Sequence, residues 1–393
     1  MLSPACQFSA FWAAYFGLLA AGGWAARRSL RRSSAAGPSS ACVIVAAKGG
    51  GPGLEENAAA MLDQDFDGSL EYVFVVPRRE DKAFARLQGQ LAASARPARV
   101  VVSDARPERT TELILNFVHG AQSAGPGAQT LVFAPCDVRP SRRWVRELVA
   151  PLADPGVGAS TATVLCVPEG RLLPGALKAL WIASASAFHA LQPTVSGQSF
   201  ALRARDFEAW RVAERWSSSL VEDIVTGIIV RERGLRVALA GAATPCSVEP
   251  ADWSDLAAGF SRWFLFGRVY IPWRWAAGGA LACAKCAVVL WMARFPGLRP
   301  PLASFLAADA LAAWLLLSAF APALEGQPER LRRRFRRLRL AGALAMPLLA
   351  FVFAWNFLLS CLSRSFVWSG WRYTVRGPGE VLAEPVRGPA DPS

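Results

Sequence analysis

Acidic side chains follow several apolar, strand-like runs of the sequence. Asp81 and Asp137 each come after a short run rich in Val and Phe, and Glu222 and Asp223 open a helix-like stretch before the last such run. Carboxylate oxygens are the ligands that Mg or Mn prefers, and a carboxylate can also deprotonate a hydroxyl group. One loop carboxylate is usually only solvated. Three at successive strand ends predict a site for metal-assisted and acid–base chemistry.

Strand-like and helix-like segments alternate between residues 41 and 250. These segments must position the carboxylates. The strand-like runs are Cys42–Ala47, Tyr72–Val76, Val100–Val102 and Leu131–Ala134. Leu54–Leu62 and Thr111–Ala121 have the pattern of helices. Buried strands that alternate with helices predict an α/β domain with a doubly wound, mostly parallel sheet. Ligands in such sheets bind beyond the carboxyl ends of the strands, where the acidic residues stand.

Both ends of the chain have the composition of a membrane protein. Hydrophobic residues make up 53% of the sequence and charged residues 19%, below the roughly 25% charged of soluble domains. Residues 8–26 are apolar, and arginines follow rather than precede them. This order predicts an uncleaved anchor with its N-terminus outside. Three apolar stretches near the C-terminus predict further membrane helices: 276–293, 301–324 and 340–362.

These features divide the chain into six parts: a membrane anchor (1–32), a linker (33–40), a catalytic domain (41–250), an interfacial segment (251–275), C-terminal membrane helices (276–362) and a tail (363–393). Lys285 and Asp309 stand near the middle of the first two C-terminal apolar stretches. An isolated charge at that depth is costly, so either the two pair or one stretch does not fully span.

The charge of the chain points to a membrane surface rather than to nucleic acid. The net charge is +13, and the arginines lie in short runs beside apolar stretches, at 27–32 and 330–339. This is the positive-inside pattern of membrane proteins. There are two histidines, which excludes a multi-histidine metal centre. The eight cysteines include one CxxC, Cys283 and Cys286, but no second pair at a spacing suited to zinc.

Four blocks of sequence stand in a specific order across residues 41–275. They are CVIVAAKGGGPGLEENAAAMLDQDF with EYVFVVPRREDKAF, then LVFAPCDVRPSRRWVRELVAPL, then GQSFALRARDFEAW with LVEDIVTGIIVRERGLRVALA, and GFSRWFLFGRVYIP. In order and spacing they resemble the family 2 glycosyltransferases, and within them the branch similar to ceramide glucosyltransferases and hopanoid-type lipid glycosyltransferases. A weaker similarity covers residues 366–376. The resemblance implies a GT-A-like domain that transfers a sugar from a nucleotide donor.

The resemblance also implies a role for each candidate residue. Ala46, Lys48 and Asp81 would contact the uridine part of the donor, and Arg262 and Trp263 would contact its diphosphate. Asp137 would bind a divalent metal. Asp223 would be the general base, supported by Glu222, and Gln198 would line the acceptor side. The implied reaction is a single displacement that inverts the anomeric carbon.

Three positions depart from the pattern that the resemblance implies. Pro135 replaces the first Asp of an Asp-x-Asp motif, Leu113 replaces a Lys, and Gly259 replaces the Gln of QxxRW. The Mg or Mn site therefore has one carboxylate fewer than expected. An impaired family member that acts as a membrane-bound binding or scaffold subunit stays an alternative.

The expected function is transfer of a hexose from a UDP-sugar to a lipid acceptor of the ceramide, diacylglycerol or hopanoid type. The expected location is a bacterial cytoplasmic membrane, with the catalytic domain in the cytosol. Polysaccharide extension is an alternative, although few membrane stretches are available for a channel. Simple alternation of the apolar stretches places residues 363–393 outside, whereas a role for Trp371 and Arg372 near the donor requires them to be cytosolic.

Overall fold

The computed structural model describes residues 4–31, 37–51 and 53–386. The helices in these ranges are α1 (Pro4–Leu30), α2 (Leu54–Leu62), α3 (Lys82–Ala92), α4 (Glu112–Gln122), α5 (Trp144–Val149), α6 (Leu172–Leu191), α7 (Ala204–Ala209), α8 (Val212–Trp216), α9 (Glu222–Glu232), α10 (Trp253–Tyr270), α11 (Pro272–Arg294), α12 (Arg299–Ala319) and α13 (Glu329–Leu362).

The strands are β1 (Ser40–Ala46), β2 (Ser69–Val76), β3 (Ala98–Val102), β4 (Thr130–Pro135), β5 (Val138–Arg139), β6 (Val157–Thr161), β7 (Leu165–Cys166), β8 (Glu169–Gly170), β9 (Phe200–Arg203), β10 (Arg236–Leu239), β11 (Cys246–Ser247), β12 (Pro250–Ala251), β13 (Ser365–Trp368), β14 (Trp371–Gly377) and β15 (Glu380–Pro385).

A mixed sheet forms the centre of the catalytic domain. In the described ranges it has seven strands in the order β10-β6-β9-β4-β1-β2-β3. Strands β1 to β4 pair in parallel, as do β6 and β10, while β9 runs antiparallel between β4 and β6. The predicted α/β fold with a mostly parallel sheet is confirmed, and the four predicted strand-like runs correspond to β1 to β4. The antiparallel strand β9 was not predicted.

Helices cover both faces of this sheet, which explains the continuous apolar runs of its central strands. Along β1, Val43 and Val45 face one apolar core, and Cys42 and Ile44 face the other. Gly120 lets α4 approach the second face closely, because a β-carbon there would lie 2.9 Å from the Val75 side chain and still nearer to Ile44. Helix α4 therefore packs closely against strands β1 and β2.

Three helices in the described ranges are long and apolar enough to cross a membrane: Pro272–Arg294, Pro296–Ala319 and Glu329–Leu362. Helix α1, which lies within the predicted anchor, is not among these three helices, and it packs against α6 and α12. Lys285 Nζ lies 2.7 Å from Asp309 Oδ1 and donates to the Tyr15 hydroxyl at 3.2 Å. The two charges therefore pair, and the pair also ties α1 to the α11–α12 hairpin.

The tail forms a small antiparallel sheet of β13, β14 and β15. A two-residue turn joins β13 to β14, and both of its residues have positive φ, 53° at Ser369 and 82° at Gly370. That is the geometry of a type I′ hairpin turn, for which glycine is well suited. We call residues 368–371 the tail turn.

The tail sheet packs on the catalytic domain. The Ala383 amide donates to the Glu108 carbonyl at 2.8 Å, and the Glu112 amide donates to the Tyr373 hydroxyl at 3.4 Å. Tyr373 is fully buried against apolar residues of α10, including Leu265. The tail sheet and the catalytic domain are therefore in direct contact.

Candidate active site

The loops that carry most of the predicted site residues meet at one edge of the sheet. Strands β1, β4 and β6 end at this edge, and the antiparallel strand β9 begins there. Phe200, the first residue of β9, pairs with Phe133 of β4 and with Thr161 of β6. The segment before β9, with Gln198, therefore lies beside the segment after β4, with Asp137.

Asp81 organises the loop that follows β1. Its Oδ1 accepts hydrogen bonds from the Gly49 amide at 2.7 Å and from the Ala83 amide at 2.9 Å, so it caps α3 and holds the loop. Ala46 is buried, and its carbonyl accepts from the Cys136 amide at 3.0 Å. These bonds join the predicted uridine-contacting residues to the segment that carries Asp137.

Lys48 connects this loop to the tail turn. Its ammonium pairs with the buried carboxylate of Glu112 and donates to the Ser369 carbonyl at 2.8 Å. Trp371 also reaches Glu112, with its indole nitrogen 3.4 Å from Oε1. A predicted donor-binding residue is thus in direct contact with the C-terminal segment.

Asp137 occupies a buried electrostatic cluster. Burial, and to a smaller extent the nearby Glu249 carboxylate, raise the pKa of Asp137 to about 7, although Lys178 and Arg262 oppose the shift. Lys178 forms an ion pair with Glu249, which also accepts a hydrogen bond from the Ser247 hydroxyl at 2.7 Å. No described residue donates a hydrogen bond to the buried Oδ1 of Asp137. This oxygen is therefore free to bind a cation.

Arg262 lies between the Asp137 cluster and the tail turn. Its charge acts on Glu249 and Asp137, and its guanidinium carbon lies 4.6 Å from the centre of the Trp368 ring. The neighbouring Trp263 stacks on Trp181 of α6 with ring centres 5.9 Å apart. Arg262 thus lies beside both the Asp137 cluster and the tail turn, while Trp263 packs among aromatic side chains of α6 and α10.

A second acidic cluster surrounds the loop before β9. Asp223, in the first turn of α9, accepts hydrogen bonds from the Gly197 amide at 2.9 Å and from the Ile224 amide at 2.6 Å. Burial raises the pKa of Asp223, and these two bonds oppose the shift. No described group donates to the buried Oε1 of Gln198. Burial and the Asp223 charge raise the pKa of Glu222 to about 8.

Glu222→Gln is expected to stabilise the protein chiefly at high pH. The folded-state pKa of Glu222 lies above its ordinary value of 4.5, so its contribution to stability is complete below about pH 4.5 and is lost as the pH rises through 8. Glutamine resembles the protonated acid. The free energy of unfolding should exceed that of wild type by less than about 1 kcal/mol at pH 5 and by about 3–5 kcal/mol at pH 9.

Thermal unfolding in detergent at pH 5 and pH 9 measures this difference. Glu208→Gln is the matched control, because Glu208 is exposed and forms no ion pair with any described residue. If Glu222→Gln raised the stability equally at both pH values, the pKa of Glu222 would not be raised in the folded protein.

The structure gathers the predicted residues into two clusters on one sheet edge. Asp81, Lys48, Asp137 and Arg262 belong to the first, and Glu222, Asp223 and Gln198 to the second; no contact described above joins the two directly. The sequence did not point to Glu112, Lys178, Glu249 and Trp368. Only the similarity at residues 366–376 gave any signal for Trp368.

The three departures from the expected motifs have local structural consequences. Pro135 is the last residue of β4 and pairs with Ala46, so no second carboxylate stands before Asp137. Leu113 packs against the apolar core beneath α4, and its neighbour Glu112 faces Lys48 instead. Gly259 leaves room for the Trp263 ring, which would lie 3.6 Å from a β-carbon at that position.

The described residues contain no cluster of three or more His, Cys, Asp or Glu side chains that could enclose a metal ion. The free Oδ1 of Asp137 fits a different kind of site. Mg is often bound through one or two carboxylates, with substrate phosphates and water completing its shell. A divalent cation that arrives with a diphosphate is compatible with this arrangement, and a closed protein cage is not.

The mixed, mostly parallel α/β sheet, with acidic residues near the carboxyl ends of its strands, has a GT-A-like architecture. The family model for glycosyl transferase family 21 matches residues 10–381. The chain belongs to this family and is a glycosyltransferase. The matched family is numbered 21 rather than 2, and its similarity to ceramide glucosyltransferases agrees with the predicted branch. The match does not single out a hopanoid-type group.

Two solved glycosyltransferase structures are among those similar to the chain. A mannosyltransferase from Pyrobaculum calidifontis, in complex with GDP-Man and Mn2+, is 17% identical, with a TM-score of 0.44 over 89% of this chain and 97% of that chain. GalNAc-T7 with UDP, GalNAc and Mn2+ is 13% identical, with a TM-score of 0.41 over 54% of this chain and 44% of that chain. No curated protein matches the chain.

Proposed function

We propose that this glycosyltransferase transfers a hexose from a UDP-sugar to a lipid hydroxyl, with inversion at the anomeric carbon. The observation that carries the proposal is the pairing of two sites on one sheet edge. One has a free carboxylate oxygen and an arginine, at Asp137 and Arg262, and the other has a backbone-anchored carboxylate at Asp223. The first suits a departing diphosphate, and the second suits a base.

The donor is proposed to lie between the loop after β1 and the tail turn. Asp81 and Lys48 would contact the nucleoside part, and Arg262 would offset the charge that develops on the leaving diphosphate. Asp137 would hold a divalent cation, Mg or Mn, and that cation would stabilise the same leaving group. Trp368, stacked on Arg262, would keep the guanidinium directed toward the phosphates.

Asp223 would deprotonate the acceptor hydroxyl. A general base acts best when its pKa lies near the working pH, and burial raises the pKa of Asp223 in that direction. The amides of Gly197 and Ile224 fix the orientation of the carboxylate, so no reorganisation is needed during the reaction. Gln198 and Glu222 would line the acceptor side.

The lipid acceptor is inferred from the path of the chain after Arg262. Helix α10 ends at Tyr270, and the first candidate membrane helix, α11, begins two residues later at Pro272. Trp273, at this junction, is 64% exposed, and exposed tryptophan is typical of a membrane–water interface. Helix α10, which carries Arg262, is thus followed almost directly by a membrane helix. This supports a site near the bilayer surface and suits an acceptor that stays in the bilayer.

Turnover by the purified full-length protein in nanodiscs tests the proposal. Several UDP-sugars are offered with Mg or Mn and with ceramide, diacylglycerol or a hopanoid, and glycolipid is measured by mass spectrometry. Metal-dependent formation of one glycolipid is the expected result. Formation of oligosaccharide without lipid would favour polysaccharide extension instead.

The impaired-subunit alternative retains one supporting observation. With Pro135 before it, Asp137 is the one carboxylate of the expected Asp-x-Asp pair, and Glu249 beside it is already paired with Lys178. A subunit of this kind would bind UDP saturably without hydrolysing or transferring the sugar. UDP binding together with absent turnover for every donor would support it.

We also propose that residues 363–393 lie in the cytosol with the catalytic domain, in a bacterial cytoplasmic membrane. Helix α13 begins beside that domain, where Arg334 Nη2 donates to the Gly170 carbonyl at 2.9 Å. It ends beside α10, where Arg268 donates to the carbonyls of Cys361 at 2.9 Å and Ser363 at 2.7 Å. Both ends are therefore held on one side, which favours two crossings, by α11 and α12.

Reporter fusions in bacteria are expected to show this topology. Green fluorescent protein fused after Ser393 should fluoresce, and alkaline phosphatase at the same position should be inactive, because each reporter works on only one side of the membrane. The matched control is a fusion after Leu298, between α11 and α12, where phosphatase should be active. Active phosphatase after Ser393 would place the tail outside and contradict the proposal.

A further inference from the structure

A basic cleft lies where α10, α13 and the tail sheet meet, apart from the candidate active site. Its volume is about 330 Å³. The lining residues are Arg268, Val269, Cys361, Arg364, Val375, Arg376, Gly377 and Pro378. Three of them are arginines and none is acidic, so the cleft concentrates positive charge.

The three arginines differ in what they bind. Arg268 is committed to the structure, because its guanidinium donates to the carbonyls of Ser360, Cys361 and Ser363 at the end of α13. Among the described residues, the guanidinium groups of Arg364 and Arg376 have no hydrogen-bond or ion-pair partner. Like charges held together without a counter-ion repel one another, so this arrangement favours an anion.

Nearby acidic groups do not neutralise the pair. Glu380 faces Gly377 across the turn between β14 and β15, and its carboxyl carbon would lie 3.9 Å from a β-carbon at Gly377. It forms no ion pair with a described arginine. Arg364 and Arg376 are both exposed and both line the cleft. The Val375 amide, next to Arg376 in the chain, donates to the Arg364 carbonyl at 2.8 Å, so the two backbone segments lie side by side.

The cleft lies at the end of an apolar helix. Leu362, the last residue of α13, is 86% exposed, and Val367 on the tail sheet is 49% exposed. Leu358 and Leu359, one turn earlier on α13, are also exposed. Exposed apolar residues are followed by arginines within one turn. This change is typical of the boundary between the acyl chains and the head groups of a bilayer.

We propose that this cleft binds the phosphate group of an anionic phospholipid. Guanidinium groups bind phosphate oxygens in a bidentate manner, and basic residues at a membrane surface attract anionic lipids. Arg364 and Arg376 contact the phosphate, Arg268 fixes the end of α13, and the exposed leucines contact the acyl chains. Binding there anchors the tail sheet, and with it the tail turn, to the membrane surface.

Binding of short-chain lipids to the purified full-length protein tests this site. Dioctanoyl-phosphatidylglycerol is titrated in neutral detergent, with dioctanoyl-phosphatidylcholine and inorganic phosphate as the other two probes, and dissociation constants are read from thermophoresis. Arg364→Gln/Arg376→Gln is the test variant. Arg143→Gln/Arg205→Gln is the matched control, because both arginines are exposed on the catalytic domain.

Phosphatidylglycerol is expected to bind wild type and control equally and the test variant about 10- to 30-fold more weakly. The single variants should each show part of this loss. Arg364→Lys/Arg376→Lys should lose less affinity than the test variant, because the charge remains while the bidentate contact is lost. Equal affinity in the test variant overturns the proposal. If inorganic phosphate binds as tightly as phosphatidylglycerol, the ligand of the cleft is not a lipid. If phosphatidylcholine binds as tightly as phosphatidylglycerol, the cleft does not select an anionic lipid. Sugar transfer is not measured, so the outcome is independent of the proposed reaction.

Discussion

Replacement of Asp223 by asparagine is expected to lower the rate of sugar transfer by about 10²- to 10⁴-fold, the usual contribution of a positioned general base. The side chain keeps its shape, and its amide oxygen can still accept a hydrogen bond from the Gly197 or Ile224 amide, as the carboxylate does now. The loop before β9 should therefore stay in place. Donor binding should be unchanged, because the donor groups belong to the other cluster.

Single-turnover rates and UDP binding, measured on the same preparation, separate these effects. Asp154→Asn is the matched control, since Asp154 is an exposed loop carboxylate that also accepts a backbone hydrogen bond, from Gly156 at 2.8 Å. Retention of more than one-tenth of the wild-type rate by Asp223→Asn would mean that another group removes the proton. Loss of UDP binding would show that the substitution disturbs the whole crevice.

The sequence predicts the parallel half of the sheet well because those strands are buried on both faces. Strands β1 and β4 are continuous apolar runs, and such runs are recognisable without knowledge of their neighbours. Strand β9 has four residues and ends in an arginine, so its local pattern is weak. Its antiparallel insertion between β4 and β6 depends on pairing across the chain, which no local pattern records.

The same distinction applies to the site. Asp81, Asp137 and Asp223 could be predicted because each follows or opens a recognisable element, and strand ends at one edge are neighbours in any such sheet. Glu249 and Lys178 stand far from Asp137 in sequence and reach it only through packing of α6 and the segment between β11 and β12. Trp368 reaches Arg262 only because the tail folds back onto the catalytic domain.

Replacement of Asp137 by asparagine is expected to abolish stimulation by Mg or Mn and to lower transfer by about 10²- to 10³-fold, the size of effect seen when one electrostatic contact to a developing charge is lost. The buried Oδ1 of Asp137 has no hydrogen-bond donor among the described residues, and Pro135 supplies no second carboxylate. The cation would therefore depend on this single side chain. Titration of UDP binding with Mn, with and without the substitution, measures the dependence.

The pH dependence of metal-supported UDP binding gives an independent readout. Burial raises the pKa of Asp137 to about 7, so the ionised fraction rises between pH 6 and pH 8, and binding of Mn with UDP should strengthen over that range. In Asp137→Asn this strengthening should disappear. Ser247→Ala is the matched control, since it removes only the hydrogen bond to Glu249 and leaves Asp137 intact. An Asp137→Asn variant that keeps both the Mn stimulation and the pH dependence would show that the metal, where one is used, is held elsewhere.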